Sequence, residues 1–298
     1  MTQTLSIALL TTRPHNGSNK SLIAAARKRG HHIQPFNTLS GVINCDKNSF
    51  ISQFSKPFDA ILPRIGGPLA GFGSAYIRAF ETAGVYCVNS AAGILTAHDK
   101  FLSGQILSAA GMDIPKTVTL ARADFIDDAI KAVGGLPIIV KLLSGTQGNS
   151  VIKLDTIAAA QSRLQEIIYA RTPFLVQEFI AESSGTDIRA FVVDGHIAGA
   201  MERTGPKGEF RSNLHQGGTA RPVSLSAKES DMAIKAAHIL GLGMAGVDIL
   251  RTSGGPKLLE VNASPGLVGI ESATQIDIAG QIIDAIESRL LPNLKAAQ

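Results

Sequence analysis

Three oxygen-bearing side chains, Asp248, Glu260 and Asn262, are spaced as a hard cation would require. Val247-Asp248-Ile249-Leu250 and Leu258-Leu259-Glu260-Val261 are rich in β-formers, and Thr252-Ser253-Gly254-Gly255-Pro256 between them is turn chemistry. A hairpin folded about Gly254 sets Asp248 across from Glu260, and strand alternation puts Asn262 on the face of Glu260. Two carboxylates about 5 Å apart repel by roughly 3 kcal/mol at an effective dielectric of about 20, so a cation belongs between them. Mg²⁺ or Mn²⁺ suits this donor set, its shell completed by water and substrate phosphates. For the pair taken alone, neutralisation by an Arg or Lys fits equally well.

Other groups upstream suit phosphate. Lys141 ends the apolar run 137–141, and Ser144-Gly145-Thr146-Gln147-Gly148 follows, whose glycines let backbone N–H groups approach an anion. By itself that loop is more simply a tight turn, and Lys100 a solvated helix lysine. Gln177-Glu178-Phe179-Ile180 could present backbone polar groups to an adenine edge, or be a buried strand only. Arg203, Arg211, Asn213 and His215 crowd a glycine-rich stretch from Thr204 to Gly218. Long loops without pattern are usually functional or disordered, and these basic residues suit a phosphate or carboxylate. No GxSxG, HExxH, Walker loop or strand-linked GxGxxG occurs, so no protein nucleophile and no dinucleotide site are expected.

The elements that carry these groups are legible in outline. Up to about residue 95, strands near 5–11, 32–37, 58–64 and 85–89 alternate with helices near 18–30 and 74–84, which argues for a parallel α/β sheet. A helix from Thr96 or Asp99 to Ala110, closed by Gly111, comes next. Strands at 137–141 and 150–153 and a helix near 156–170 follow. Beyond Phe174 the pattern turns to hairpins, with Asp194-Gly195 a two-residue turn. Helices near 226–241 and 276–290 complete the chain. Domain limits are expected at 95 and 175.

The 298 residues are 45% hydrophobic and only 17% charged, the composition of a compact globular protein. Cys45 and Cys87 form no CxxC pair, and Met1-Thr2-Gln3-Thr4 leads into a first strand with no basic leader, so a reducing cytoplasmic setting is expected. No stretch reaches membrane-span length. The net charge of +4 permits nucleic-acid contact, but aromatics are 5% with no Trp, and direct binding to nucleic acid is not expected.

In order and spacing, Pro63-Arg64-Ile65-Gly66, Asp99-Lys100, Val140-Lys141 with Gly145-Thr146-Gln147-Gly148, and Val176-Gln177-Glu178-Phe179-Ile180 resemble the ATP-grasp superfamily. So do Asp187-Ile188-Arg189, Phe210-Arg211-Ser212-Asn213-Leu214-His215, Ala245-Gly246-Val247-Asp248-Ile249-Leu250 and Glu260-Val261-Asn262-Ala263-Ser264-Pro265-Gly266-Leu267. The resemblance is closest to the RimK branch, the ribosomal-protein L-glutamate ligases, and covers nearly the whole chain. It implies an ATP-grasp fold of mixed α/β and α+β character. An N-terminal parallel α/β domain (1–95) would precede a central lobe (96–175) and a C-terminal lobe with the metal site (176–298), the two lobes enclosing ATP. It implies that Lys100 and Lys141 contact ATP phosphates, and that Gln177, Glu178 and Phe179 hold adenine. Asp187 would bind the ribose region, and Arg211, Ser212 and Asn213 the triphosphate. Arg203, Arg211 and Asn213 would form the catalytic group. Asp248, Glu260 and Asn262 would carry two Mg²⁺ or Mn²⁺ ions. The implied activity is ATP-dependent addition of L-glutamate to the C-terminus of a ribosomal protein through an acyl phosphate, by a homotetramer. The alternative is an amino-acid ligase acting on a small cofactor or an amino-acid carrier protein. A nucleotide-binding regulator without catalysis is a third reading, disfavoured by the intact metal set. The family often has Arg where this chain has Gln216, which leaves the acceptor or amino-acid specificity open.

Overall fold

The computed structural model describes residues 3–43, 58–143, 151–214 and 217–291. The chain opens with β1 (Ser6–Leu10), α1 (Gly17–Lys28), β2 (His32–Phe36), β3 (Ala60–Pro63), α2 (Ala70–Thr82) and β4 (Tyr86–Cys87). The strands form an all-parallel sheet in the order β2-β1-β3-β4, as the alternation of elements predicts. β1 is apolar on both faces because helices cover both. Ala8 and Leu10 pack toward Tyr76, Ile77 and Phe80 of α2, while Ile7 and Leu9 pack toward Leu22 and Ala26 of α1.

α3 (Ala91–His98) and α4 (Lys100–Ala109) follow, capped by Ser90 and Asp99. The sequence pattern separates only the second of them. Ala91, Gly93, Ile94 and Ala97 of α3 are buried, and its residues are so uniformly apolar that no stripe marks it. β5 (Thr117–Val118), α5 (Ile126–Ala132), β6 (Ile138–Leu142), β7 (Val151–Leu154), α6 (Ile157–Tyr169) and β8 (Phe174–Glu178) build a second sheet, antiparallel, in the order β5-β8-β6-β7. It has its own core, with Ile138, Val140 and Val176 against Ile126, Ile130 and Leu164. The two-residue β5 and the seven-residue α5 were too short to leave a pattern.

The remaining elements are β9 (Thr186–Val193), β10 (His196–Thr204), β11 (Thr219–Pro222), α7 (Ala227–Ile239), β12 (Met244–Thr252), β13 (Gly255–Asn262), α8 (Val268–Thr274) and α9 (Ile278–Leu290). Their five strands form an antiparallel sheet ordered β11-β10-β9-β12-β13. Asp194 and Gly195 turn β9 into β10 with φ of 45° and 77°, the left-handed pair of a type I′ hairpin. Ile188, Ala190 and Val192 of β9 share one core with Ala91, Ile94 and Ala97 of α3, Leu107 of α4, and Ala8, Leu10 and Ile61 of the parallel sheet. The expected limits at 95 and 175 therefore fall inside α3 and β8, and α3 and α4 pack with the five-stranded sheet. No helix among the described residues is long and apolar enough to cross a membrane.

Candidate functional site

The hairpin of β12 and β13 brings the expected carboxylates face to face, by a route the sequence did not disclose. Thr252 pairs with Gly255, so the turn is Ser253-Gly254 and not centred on Gly254. That register alone would set Asp248 against Leu259. A one-residue irregularity between Asp248 and Ile249 absorbs Leu259, and Asp248 pairs with Glu260 while Gly246 pairs with Asn262.

Neighbouring strands supply the counter-charges. Asp248 pairs in register with Arg189 of β9, and Asp187 with Arg203 of β10, so these side chains lie on one face of the sheet. Arg189 donates to Asp248 from Nε at 2.7 Å and Nη2 at 2.6 Å. Arg203 donates to Asp187 from Nε at 2.7 Å and from Nη2 at 2.6 Å, and its Nη2 also lies 2.9 Å from Asp248 Oδ2. Asp248 is only 2% exposed, so a lone charge there would be costly, and the two guanidinium groups offset it. The arginine alternative left open by the sequence is thus what surrounds Asp248, while Glu260 is held by lysine. Lys100 Nζ lies 3.7 Å from Glu260 and donates to the Val261 carbonyl at 2.9 Å. The Asn262 amide donates to Glu260 Oε1 at 3.0 Å. Burial would push the Glu260 carboxyl up, but Lys100, Lys141, the Asn262 amide and Arg189 together hold it well below the usual carboxylate range. Lys141 is shifted down, first by burial and further by Lys100, against the pull of Glu260.

Lys100, Lys141, Gln177, Leu175, Thr117, Leu258 and Glu260 line one narrow cleft between α4, the second sheet and the hairpin. Lys100 reaches it because Asp99 caps α4, accepting from Phe101 N and Leu102 N and fixing the first turn. Glu178 ends β8, where its N–H donates to the Lys116 carbonyl at 2.8 Å and its carboxylate accepts from Lys116 N at 3.1 Å. The Phe179 ring meets Phe210 edge-on at 6.5 Å, and Lys153 Nζ lies 4.6 Å from its centre.

The other expected site residues among those described are each engaged by protein neighbours. Asp187 is 6% exposed, with its carboxylate engaged by Arg203 and Ser212, so it braces the arginine. Burial and Asp248 push its carboxyl up, against Arg203 and Ser212. Arg203 is buried in the sheet. Arg211 pairs with Glu209 at 2.7 Å, and Asn213 follows on the same segment. His215, Gln216 and the loop residues Ser144, Gly145, Thr146, Gln147 and Gly148 lie outside the described residues. Among the described residues, no three His, Cys, Asp or Glu side chains cluster to hold a metal on their own. Arg189, Lys153 and Phe210 were given no role from sequence. For Arg189 the signal was present, since Asp187 and Arg189 are two apart on a strand and must share a face.

The parallel sheet grips the segment that follows Asn262. Asn89, fully buried just past β4, donates from Nδ2 to the carbonyls of Met244 and Ala263, both at 2.8 Å, and accepts from Met244 N at 2.7 Å. Ser18 of α1 accepts from Leu267 N at 2.9 Å, and Arg64 donates to the Pro265 carbonyl at 2.7 Å.

Two family models match in tandem: a RimK PreATP-grasp domain over residues 5–94 and a RimK-like ATP-grasp domain over residues 97–286. The chain is 42% identical over 292 residues to a probable alpha-L-glutamate ligase of Maridesulfovibrio salexigens, covering 97% of each chain. It is 43% identical over 293 residues to a protein of the same description from Thioalkalivibrio sulfidiphilus, again covering 97% of each. The fold is similar to that of the ATP-grasp ligase PsnB complexed with a phosphomimetic variant of its minimal precursor, Mg and ADP. That match has a TM-score of 0.76 at 21% identity, covering 96% of this chain and 99% of that one. The chain belongs to the RimK-like ATP-grasp family of ligases.

Proposed function

We propose that this protein is an ATP-dependent carboxylate–amine ligase that adds L-glutamate to the C-terminus of a protein, a ribosomal protein being the acceptor class the family resemblance favours. One observation carries the reading. Asp248 and Glu260 are register partners beside Asn262, and Lys100 and Lys141 share the cleft with Glu260. Two carboxylates and an amide are too few to saturate Mg²⁺, and they fit a cation that takes its other oxygens from water and nucleotide phosphates. Asp248, Glu260 and Asn262 would hold it; when bound, it would supply charge that stabilises the transferred phosphoryl group.

In this mechanism Lys100 and Lys141 bind phosphate oxygens, and the Phe179–Phe210 pair with Lys153 walls the base. The acceptor carboxylate attacks the γ-phosphorus, the bond to the ADP oxygen breaks, and an acyl phosphate forms. The amine of glutamate attacks the acyl carbon, phosphate leaves, and the amine gives up its proton. Arg203 and Arg189 hold and orient Asp248. No enzyme nucleophile is required, in keeping with the motifs that are missing.

The test combines purified protein, ATP, Mg²⁺ and a panel of amino acids, with and without ribosomal proteins, and measures ADP release and acceptor mass. A ladder of glutamate additions on a ribosomal protein is the expected result. Gln216, where the family often carries Arg, favours a second reading in which the acceptor is a small cofactor or an amino-acid carrier protein. Turnover with such acceptors alone would establish that reading. Nucleotide binding without turnover under every condition would sink both.

A further inference from the structure

Arg64 stands at the carboxyl edge of the parallel sheet, immediately after β3. The strand order β2-β1-β3-β4 makes the junction of β1 and β3 the point where the chain switches direction across the sheet. In open parallel sheets the crevice outside that switch point is where ligands bind. Arg64 sits on one side of it and Thr11, just past β1, on the other.

The guanidinium is held in place but not neutralised. Its Nε donates to Asn19 Oδ1 at 3.3 Å and its Nη1 to the Pro265 carbonyl at 2.7 Å. Asn19, fully buried, is itself fixed by donating to Thr11 Oγ1 at 2.9 Å and to the Arg13 carbonyl at 2.8 Å. Both acceptors of Arg64 are neutral. Its remaining N–H groups have no acceptor among the described residues, and Nη2 is not among the fully buried atoms left without a partner, so it keeps some contact with solvent. Arg64, Arg163, Arg189, Arg203 and Arg211 are the described arginines buried or half-buried as whole residues. The other four each have a carboxylate within 4.0 Å; Arg64 has none among the described residues. Burial lowers its pKa to about 10, which leaves it cationic at neutral pH.

A half-buried guanidinium without a counter-ion is costly, and a strut to one carbonyl would not need a charge. A planar fork with free donors is suited to a carboxylate. Its anchor, Pro265, is three residues beyond the expected metal ligand Asn262 and packs against Gly246, the register partner of Asn262, which sets that anchor beside the hairpin of the reaction centre. We propose that Arg64 binds a non-reacting carboxylate of a substrate in this crevice. The proposal rests on the ligase reading, because two substrates of that reaction, L-glutamate and an acceptor ending in glutamate, carry a carboxylate that does not react.

The test is calorimetric titration with Mg²⁺ and a non-hydrolysable ATP analogue present. L-glutamate, and separately a short acceptor peptide ending in glutamate, are titrated into the native protein, Arg64→Gln and Arg64→Lys. The α- and γ-amides of glutamate, and the same peptide ending in glutamine, serve as controls. Thermal midpoints confirm folding of each variant. Arg64→Gln is expected to weaken one of the two carboxylate ligands about 30-fold or more, a charge-assisted bidentate contact being lost. Arg64→Lys should recover part of that loss, and affinity for the ATP analogue should stay within about threefold. The native protein should discriminate against an amide analogue, and Arg64→Gln should not. Whichever ligand responds identifies the source of the carboxylate. Unchanged affinity in Arg64→Gln, equal loss of nucleotide and carboxylate ligands, or absence of binding to the native protein would overturn the proposal. ADP release by the native protein is measured separately. Glutamate binding through Arg64 without turnover under every acceptor condition would refute the ligase reading and leave the carboxylate subsite standing.

Discussion

Asp248 and Glu260 face each other, yet their electrostatic settings differ. Asp248 is sealed from water and clamped by two arginines, whereas Glu260 opens on the cleft and is held by Lys100 and the Asn262 amide. A cation entering from the cleft meets Glu260 first, already ionised. Glu260→Gln removes that charge at almost constant volume. It should reduce turnover more than about 100-fold, with a near-native circular dichroism spectrum, because the lost interaction serves the reaction and not the fold. Near-normal activity would sink the metal assignment. Arg189→Met should behave differently. It leaves Asp248 with Arg203 alone and should cost about 2–3 kcal/mol in urea unfolding, since one partner of a buried ion pair is removed. At this scale the sequence disclosed the oxygen ligands, because Asp, Glu and Asn in strand alternation are a donor set. It disclosed less of their counter-charges, because Arg189 and Arg203 are brought to Asp248 by strand pairing across 59 and 45 residues of chain (248 − 189 and 248 − 203).

Among elements, the β12–β13 hairpin depends most on a single position. Leu259 is the residue that the register shift absorbs, and a slip of one residue turns every later side chain to the other face. Deleting Leu259 should therefore close the irregularity and leave a regular hairpin, with Ile249 still opposite Leu258 and Asp248 still opposite Glu260. The deletion should retain turnover, measured as ADP release at matched thermal stability, and its loss would show that the irregularity itself aims Glu260. The helix α7 supports a separate prediction. Ser226 and Glu229 form a reciprocal cap, and Arg251 of β12 donates to Glu229 at 2.6 Å. The Arg251 hydrogen bond, opposed by burial, holds the Glu229 carboxyl below its ordinary 4.5. Its stabilisation is therefore complete above about pH 4.5 and is lost as pH falls through the lowered value. Glu229→Gln should lower stability by about 1 kcal/mol at pH 7, and its acid-unfolding curve should converge with the native one once pH has fallen through that lowered value. Helices with caps and stripes, such as α1, α7 and α9, were legible in the sequence. The uniformly apolar α3 and the short β5, α5, β11 and α8 were not, because their lengths and burial come from tertiary packing.

At the scale of the whole molecule, the parallel sheet and the five-stranded sheet share a core, while the second sheet keeps its own. The cleft lies between these bodies, with Lys141 and Gln177 on one side and Lys100 and Glu260 on the other. The alternation of elements predicted the parallel sheet, and the family resemblance implied three parts. Neither indicated that two of the parts have fused cores, because contacts such as Asn89 to Ala263 join residues 174 positions apart. Asn89→Ala would strip partners from Met244 N, Met244 O and Ala263 O together. It should cost about 3–5 kcal/mol by thermal or urea unfolding, since buried backbone groups are left without hydrogen bonds. That small amide also bears on building hybrids. An acceptor specificity transplanted from a relative by exchanging residues 1–95 would carry its own versions of Ser18, Arg64 and Asn89, each shaped to the host's 263–268 segment. Chimeras should fold and turn over only when that short segment travels with its donor, so the unit of exchange is a sheet edge plus a distant loop, not a contiguous stretch of gene.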